Sequence, residues 1–273
     1  MTNQPALRVV QVGFATTVQD RGRRGLAHLG VPTAGAVDLR THDLVNRLVG
    51  NSPDAATIET MGALVLEVLR PIVVAASSDA SRRTLPAGAQ VRVDASAGSV
   101  WGYLAVRGGV EVDAVLGSRS HDTLGGVGPP ALTADALVSV GPDPLTPLAA
   151  DHAPQRRRTE GYARVWEGPQ HDWFIGGVQS LVGRPWRVTH ELSRVGVRLE
   201  SGAFARGTRS QPQMASIGLT AGAVQITPSG EPIVMLANHP TTGGYPVIAV
   251  VEPDDLPELA QAPPGSSIQF RRA

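Results

Sequence analysis

The sequence predicts a fold dominated by β-strands, with few and short helices. Two observations indicate this class. The 273 residues include 31 glycines and 22 prolines, which divide the chain into short segments. The segments between these residues are rich in β-branched side chains and are only about five residues long, which is typical of strands. An all-β protein with many turns is therefore expected.

Eleven segments have the length and composition of strands. Valine, isoleucine, leucine and aromatic residues alternate or cluster in each of them, as in the half-buried strands of a packed sheet. The predicted strands, in chain order, are Leu64–Val68, Ile72–Ala75, Gln90–Val93, Val100–Val106, Arg164–Trp166, Arg187–Thr189, Val195–Leu199, Ala223–Thr227, Ile233–Leu236, Val247–Val251 and Ile268–Phe270.

The clearest helix prediction covers Asp38–Val49. Asp38 is placed as its N-cap, and Gly50 as the residue that ends it in a left-handed conformation. A shorter helical turn is predicted over Asp254–Ala260, just before two consecutive prolines. The apolar side of the longer helix is formed by residues at helical spacing: Val37, Thr41, Leu44, Val45, Leu48 and Val49.

A proline-rich stretch near the middle of the chain separates two domains. Residues 141–158 contain four prolines and the run Arg156-Arg157-Arg158, which indicates an exposed connector. We therefore predict an N-terminal domain over 1–142, a linker over 143–160 and a C-terminal domain over 161–273. The arginine run is interpreted as a solvated part of the linker in preference to an anion site.

The charge balance excludes several classes of partner. The formal net charge is zero, with 24 basic and 24 acidic residues, so no basic field attracts nucleic acid or anionic lipid. The start of the chain, Met1–Gln11, does not resemble a signal peptide, and no apolar run reaches the ~18 residues of a spanning helix. We expect a cytoplasmic protein with no nucleic-acid or membrane partner.

Two amino acids are missing from the sequence, and their absence removes whole mechanisms. All 24 basic residues are arginine and none is lysine. The chain therefore has no Walker A lysine, no Schiff-base lysine and no lysine that could carry biotin. Cysteine is absent as well, which excludes disulfides, thiolate nucleophiles and thiolate metal ligands. The seven histidines show no paired ligand spacing, so no metal site is predicted.

The first segment with chemical potential is the glycine-rich loop predicted over Gly13–Gly25. Gln19 and Asp20 place an amide and a carboxylate between its glycines, and Arg21 and Arg23 add guanidinium forks. Such a loop can bind a carboxylate or a carbonyl group. An Asp-Arg pair that only fixes the shape of the loop is the alternative interpretation.

A second segment centres on Arg119, which stands between Ser118 and Ser120 and could bind an oxyanion or fix its own loop. His121 and Asp122 follow directly. We do not interpret them as a catalytic pair, because adjacent residues on a strand point to opposite faces.

The third segment is Thr241–Tyr245, which follows a predicted hairpin that contains Gln225. It offers the hydroxyls of Thr241 and Thr242, the backbone N–H groups of Gly243 and Gly244, and the ring of Tyr245. This composition is typical of a binding loop, although a twisted glycine bend in a barrel has the same composition.

These segments together resemble one family, the C-subunit family of biotin-dependent carboxyltransferases, which includes the C subunit of 5-oxoprolinase and allophanate hydrolase subunit 2. The resemblance covers nearly the whole chain, and several motifs in a fixed order are more specific than any single one. The matching segments are Thr17–Arg23, Gly30–Pro32, Gly35, Asp38, Asn46, Leu48–Asn51, Tyr103–Val106, Gly117–Ser120, Gly168–Gln170, Arg198–Leu199 and Thr241–Pro246.

The resemblance implies tandem cyclophilin-like β-barrel domains, with 1–142 as the N-terminal carboxyltransferase subdomain and 161–273 as the C-terminal cyclophilin-like subdomain. An obligate partner in a hetero-oligomer is implied as well, the B subunit, which is similar to allophanate hydrolase subunit 1. It also implies a hydrolase that, with the B subunit and a third subunit, opens 5-oxoproline to glutamate in an ATP-dependent reaction and is inactive alone. Two alternatives remain open: a carboxyltransferase that uses carboxybiotin from another protein, and a noncatalytic regulator that binds the B subunit. No cofactor is expected to be bound covalently; ATP would act at the level of the complex, and biotin only when docked from another protein.

By this resemblance the substrate, a small lactam or amide, meets a pocket completed by the B subunit. Asp20, Arg21 and Arg119 are predicted as catalytic residues. Gln19, Gln225 and the five residues Thr241, Thr242, Gly243, Gly244 and Tyr245 are predicted to bind the substrate. Asn238 and Pro240 stand where the family usually has Asp and Gln, which leaves the substrate open.

Overall fold

The computed structural model describes residues 4–154, 161–211 and 214–273. The chain divides into two compact units, the first formed by Met1–Arg23 with Ala34–Arg157 and the second by Arg24–Thr33 with Arg158–Ala273. Strands account for 37% and helices for 11%, so the predicted β-dominated class is confirmed. The predicted domain limits stay a prediction, and the arginine run 156–158 lies outside the described residues.

The first unit contains two antiparallel five-stranded sheets, with strand orders β7-β4-β1-β10-β9 and β2-β3-β8-β5-β6. Its strands are β1 (Pro5–Gln11), β2 (Ala15–Gln19), β3 (Thr57–Met61), β4 (Leu64–Val68), β5 (Ile72–Ala76), β6 (Ser81–Leu85), β7 (Gln90–Val93), β8 (Trp101–Val106), β9 (Val110–Glu111) and β10 (Leu137–Val140).

One hydrophobic core joins the two sheets of this unit. In β4 the side chains of Leu64, Leu66 and Val68 are buried while the residues between them are partly exposed, which is the period of two expected from a pleated strand. Residues of β1, β2, β3, β5, β7, β8 and β10 belong to the same cluster. The sheets therefore pack face to face through their apolar sides.

Helix α1 (Leu39–Leu48) packs mainly against β8 and β5. Asp38 is its N-cap, as predicted, and its carboxylate accepts hydrogen bonds from the backbone N–H and hydroxyl of Thr41. Gly50 follows the helix with φ of 72°, also as predicted. The predicted apolar side is incomplete, because the buried residues of α1 include two polar side chains, His42 and Asn46.

The described part of the predicted linker runs over the first unit. Arg107, at the end of β8, donates hydrogen bonds to the carboxylate of Asp143 and to the carbonyl of Thr146. Further along, Arg82 pairs with Asp151. The segment is exposed, as predicted, and these two arginines hold it against its own unit.

The second unit contains a closed barrel with strand order β11-β18-β15-β16-β13-β12-β19, completed by parallel pairing of β11 with β19. A two-stranded sheet of β14 and β17 accompanies it. Its strands are β11 (Gly161–Glu167), β12 (Pro185–Leu192), β13 (Gly196–Glu200), β14 (Ile217–Gly218), β15 (Ala223–Ile226), β16 (Pro232–Met235), β17 (Thr242–Gly243), β18 (Val247–Val251) and β19 (Ser267–Arg272).

Large apolar side chains fill this unit. Trp186, Leu199, Ile226 and Phe270 are almost completely buried, and the indole N–H of Trp186 donates to the carbonyl of Leu181 at 2.8 Å. In a closed core, a buried indole N–H is expected to have a hydrogen-bond partner. The barrel is therefore a packed core and not an open channel.

The predicted elements and the structure agree best in short segments that are rich in apolar residues. The limits of β4, β7 and β18 coincide with the prediction, and the short helix predicted over Asp254–Ala260 is a 3₁₀ turn (Pro253–Asp255) followed by α2 (Leu256–Ala260). The loop predicted over Gly13–Gly25 is wrong in its first part, because Ala15–Gln19 forms β2. Its threonines and glutamine lie in an antiparallel ladder with β3, a tertiary pairing that local composition did not indicate.

Candidate functional site

The two units are described separately, because the predicted site residues fall in both. In the first unit, the loop that follows β2 meets the loop 117–122 through Asp20. One oxygen of Asp20 accepts from the hydroxyls of Ser118 (2.6 Å) and Ser120 (2.5 Å) and from the backbone N–H of Gly22 (2.8 Å). The other accepts from the backbone N–H of Arg119 at 2.6 Å. Asp20 therefore joins segments about a hundred residues apart in sequence.

Asp20 is held in its charged form although it is 8% exposed. Burial alone would raise the pKa of this carboxyl. The hydrogen bonds from Ser118, Ser120, Arg119 and Gly22 outweigh burial, so the pKa lies below its usual value. Because these donors surround both oxygens, Asp20 is built into the loop and is not presented to solvent as a base.

Arg23, the second guanidinium group that the sequence placed in this segment, lies buried beneath the same loop. It is 2% exposed, and its guanidinium donates to the carbonyls of Ser120 (2.5 Å) and Val115 (3.3 Å). Burial lowers the pKa of Arg23, while the charges of Asp20 and Asp122 oppose that effect. Asp20 thus binds the N–H and hydroxyl groups of the loop, and Arg23 binds its carbonyl groups.

Gln19 does not reach the surface. Its side chain is 0% exposed, and its amide nitrogen donates to the hydroxyl of Thr17 (2.9 Å) and the carbonyl of His121 (3.1 Å). The His121 ring, which we did not interpret as a base, contacts the carbonyl of Pro129 through Nδ1. In the structure Gln19 anchors the loop 118–122 to the end of β2.

Arg119 and Arg21, the two predicted forks, already have carboxylate partners. Arg119 donates from Nη2 to Glu111 (2.9 Å) and from Nε to the carbonyl of Val112 (2.9 Å). Arg21 uses only Nη1, which lies 2.9 Å from each oxygen of Asp43 on α1. Within the described residues, Nε and Nη2 of Arg21 make no hydrogen bond, so one edge of this guanidinium stays available.

A buried tyrosine lies behind the same helix. The hydroxyl of Tyr103 donates to Glu59 at 2.7 Å and accepts from the backbone N–H of Asp38 at 2.9 Å. Burial and the neighbouring carboxylate of Glu59 raise the pKa of Tyr103 well above its usual value. Since Glu59 also accepts from the backbone N–H of Val37, this network fixes the start of α1 and keeps Tyr103 neutral.

In the second unit, the predicted binding loop Thr241–Tyr245 includes the short strand β17. β17 pairs with β14, and the N–H of Leu219 donates to the carbonyl of Thr241. The side chains of Thr242 and Tyr245 are exposed, with 43% of Tyr245 accessible. In the part of the chain that the structure describes, the N–H groups of Gly244 and Tyr245 and both threonine hydroxyls make no hydrogen bond.

Gln225 supports this loop from inside the barrel. It is 3% exposed, and its amide nitrogen donates to the carbonyl of Tyr245 at 3.0 Å. A Cβ added to Gly243 would lie 2.7 Å from that same nitrogen and 2.7 Å from Leu219 Cδ1. A side chain at 243 would therefore require the tips of Gln225 and Leu219 to move.

Asn238 and Pro240, the two positions before this loop that depart from the family's usual residues, differ in exposure. Asn238 is completely buried, and its backbone N–H donates to the carbonyl of Arg194 at 3.0 Å. Pro240 is partly exposed, and its carbonyl contacts Nδ1 of His239 at 2.8 Å. Asn238 thus belongs to the support of the loop, while Pro240 borders its exposed part.

Sequence reasoning missed His42, Asp43, Glu59 and Tyr103 as members of these networks. One signal could have indicated part of them, since His42 and Asn46 stand four residues apart on the buried side of a predicted amphipathic helix. Among the described residues, no group of three or more histidine, aspartate or glutamate side chains is placed to hold a metal ion. In the same residues no helix is long and apolar enough to cross a membrane.

With this geometry in place, the chain can be compared with known proteins. Residues 29–272 match the family described as carboxyltransferase domain, subdomain A and B. The C subunit of 5-oxoprolinase from Escherichia coli is 31% identical over 97% of this chain and 90% of that protein. The Haemophilus influenzae protein of the same name is 30% identical over 96% of this chain and 89% of its own length. The urea amidolyase of Lachancea kluyveri is 28% identical over 97% of this chain but only 17% of that protein.

Solved structures have the same architecture. The crystal structure of TTHA0988 aligns with a TM-score of 0.87 at 34% identity, over 99% of this chain and 56% of that one. This chain therefore spans about half of the length of that relative. The Kluyveromyces lactis urea carboxylase aligns with a TM-score of 0.85 at 25% identity, over the whole of this chain and 28% of the other.

Proposed function

This chain belongs to the family of carboxyltransferase domains with subdomains A and B, and from that premise we propose that it is the C subunit of a bacterial 5-oxoprolinase-type complex. The proposed reaction is the ATP-dependent hydrolysis of 5-oxoproline to glutamate, in which water adds across the lactam C–N bond to give a carboxylate and an amine. We propose that this chain acts with a B subunit and a third subunit and is inactive alone.

The observation that carries this proposal is the share of each relative that the chain matches. Two relatives that bear the name of the 5-oxoprolinase C subunit match over 90% and 89% of their own length, at 31% and 30% identity. The urea amidolyases match over 17% and 16% of theirs. A chain that corresponds to nearly all of a subunit supports a subunit function more than the function of a large fused enzyme.

The exposed loop of the second unit supports recognition of a lactam or amide carbonyl. Gly244 and Tyr245 offer backbone N–H groups without partners among the described residues, and two such donors are what a developing oxyanion requires. The hydroxyls of Thr241 and Thr242 add adaptable donors and acceptors. We propose that Gln225 acts through Gly243 and Tyr245, because its side chain is buried against them.

In the first unit, Arg21 is the predicted residue best suited to a substrate carboxylate. One edge of its guanidinium has no partner within the described residues, and 35% of the side chain is exposed. Arg119 is bound to Glu111, so we propose that it acts only after that pair opens. For Asp20 and Gln19 we propose supporting roles, since both are buried and bonded to the loop 118–122.

The cofactors follow from the same reasoning. The chain has no lysine, so biotin could reach it only on another protein, and ATP is proposed to bind a partner or a shared surface. What this chain supplies in the proposal is hydrogen-bond donors that orient the substrate and polarise its carbonyl group. The partners, by this proposal, supply the phosphate chemistry.

The test is glutamate release from 5-oxoproline, measured with ATP, by this chain assembled with its B subunit and with the third subunit. We expect turnover that requires this chain and ATP, and none from this chain alone. Glutamate release that is unchanged when this chain is left out would contradict the proposal.

A second candidate, carboxyl transfer from carboxybiotin, is favoured by the family's name and by the similarity to urea carboxylase. It requires a biotinylated protein that binds this complex. Streptavidin blotting of proteins that co-purify with the tagged chain separates the two candidates, because the 5-oxoprolinase reaction proposed here requires no biotinylated partner.

A further inference from the structure

The guanidinium of Arg21 is fixed on one side and open on the other. Nη1 donates to both oxygens of Asp43 at 2.9 Å, whereas Nε and Nη2 donate to nothing in the described segments. A guanidinium has five N–H donors in a rigid plane, so holding one nitrogen sets the direction of the rest. The residue that holds Nη1 therefore controls where the open edge points.

Asp43 is in turn held by a buried histidine. His42 is 0% exposed, and its Nδ1 lies 3.2 Å from Asp43 Oδ1. On the other side of the ring, Nε2 lies 3.4 Å from the amide nitrogen of Asn46, which can only donate. With Nε2 as the acceptor of that amide hydrogen, the ring hydrogen on Nδ1 is donated to Asp43.

The chain of contacts continues to the sheet. The amide oxygen of Asn46 accepts from Asn51 at 3.0 Å, and Asn51 also donates to the carbonyl of Val106 at 2.8 Å and accepts from Gly108 at 2.9 Å. His42, Asn46 and Asn51 are all buried. An unbroken series of hydrogen bonds thus links the end of β8 to the guanidinium at the surface.

We propose that Asp43 is a positioning residue that orients the open edge of Arg21 toward a substrate carboxylate, with His42 fixing Asp43. The inference rests on the proposed function in one respect, namely that Arg21 binds the carboxylate of the substrate. The inference adds His42 and Asp43 of α1 to the proposed site. In it, the helix residues orient the guanidinium of Arg21.

An ordinary surface ion pair does not account for this arrangement. Exposed pairs contribute little to stability and need no buried support. Here two buried polar side chains, His42 and Asn46, occupy the inner side of α1, where apolar residues would pack without needing partners, and the buried Asn51 supports them from beyond the end of the helix. A partly exposed charge that binds a ligand with precise geometry requires supporting side chains whose own hydrogen bonds are satisfied.

The experiment uses Asp43→Asn and Arg21→Gln, singly and together, in the assembled complex. For Asp43→Asn we expect the KM for 5-oxoproline to rise by about tenfold with kcat within about twofold, as for a lost binding contact. The double variant should be no worse than Arg21→Gln. Asp143→Asn, which removes the carboxylate from Arg107 in the same unit, is the matched control and should leave KM unchanged.

A second ligand separates positioning from general damage. 2-Pyrrolidinone is the same lactam without a carboxylate, so its inhibition constant should be equal for the wild type and Asp43→Asn. Additive effects of the two substitutions, or an equal loss of affinity for both ligands, would overturn the proposal. For His42, substitution by Gln retains a donor toward Asp43 and should keep more activity than His42→Leu, while equal loss in both variants would argue against its role.

An independent readout covers the case in which 5-oxoproline is not turned over by the wild-type complex. That outcome would remove the proposed function but would not test the positioning. ¹⁵N NMR of the arginine side chains tests it directly, since release of Nη1 should shift the Arg21 signals and speed rotation of its guanidinium in Asp43→Asn. Unchanged Arg21 signals would overturn the inference.

Discussion

The polar loops of the two units differ in how many of their hydrogen-bonding groups are already occupied. In the first unit, Asp20 accepts four hydrogen bonds from its own loops, and Arg23 is buried beneath the same loops. In the second unit, Thr241–Tyr245 is largely exposed and keeps unbonded donors among the described residues. The buried charges of Asp20 and Arg23 thus build a scaffold in the first loop, whereas uncharged groups of the second loop are left available to a ligand.

The largest effect is expected at Asp20, where the comparison predicts a structural cost. Asp20→Asn keeps the shape but replaces one acceptor oxygen by a donor facing the donors of Ser118, Ser120 or Arg119. It also leaves the buried charge of Arg23 less compensated. We expect a loss of about 3–5 kcal/mol in the free energy of unfolding, measured by urea denaturation. Asp151→Asn, at an exposed ion pair with Arg82, should cost less than about 0.5 kcal/mol.

The same residue predicts the pH dependence of stability. Because the pKa of Asp20 is lowered in the folded state, its contribution is complete above the unfolded value of about 3.9 and is lost as pH falls through the folded pKa. Wild-type stability should therefore decrease more than that of Asp20→Asn between about pH 5 and the folded pKa. Parallel pH profiles for the two proteins would contradict the assignment.

A medium effect is expected at Gly243, the closest contact in the second loop. In Gly243→Ala the new Cβ would displace the tip of Gln225, whose nitrogen lies 2.7 Å away, and break its bond to Tyr245. We expect a loss of about 1–2 kcal/mol in unfolding free energy together with reduced turnover. Gly218→Ala is the matched control on the paired strand, because a Cβ there meets nothing within 4 Å. Equal effects of the two substitutions would show that close approach is not the cause.

The sequence predicted most of the regular structure but little of this difference between the loops. The caps of α1 and the strand β4 were predicted correctly, because their signals lie within a few residues of each other. Three of the four groups that donate to Asp20 lie 98 to 100 positions away, and no local pattern indicates such a pairing. Whether Gln19 or Arg119 is occupied likewise depends on tertiary packing, which spacing in the sequence does not determine.

A smaller effect is expected at Gln225, which tests whether the second loop has a scaffold of its own. Gln225→Met keeps the volume and removes the donor to the carbonyl of Tyr245. We expect a loss of about 1 kcal/mol, roughly that of one hydrogen bond, and faster amide hydrogen exchange confined to residues around 241–246. Faster exchange throughout the barrel would instead place Gln225 in the general core.

The smallest effect on stability, and the sharpest test of the comparison, is expected at Thr242. Its side chain is exposed, and its hydroxyl makes no hydrogen bond within the described residues, so Thr242→Val should change unfolding free energy by less than about 0.5 kcal/mol. If the hydroxyl contacts substrate, kcat/KM for 5-oxoproline should fall by about tenfold, the equivalent of one hydrogen bond of about 1.4 kcal/mol. A destabilised variant would instead show that this loop, like that of the first unit, is occupied by structural contacts. Unchanged stability with unchanged kcat/KM would show that Thr242 does not contact the substrate. Binding by this loop would then depend on the backbone N–H groups of Gly244 and Tyr245.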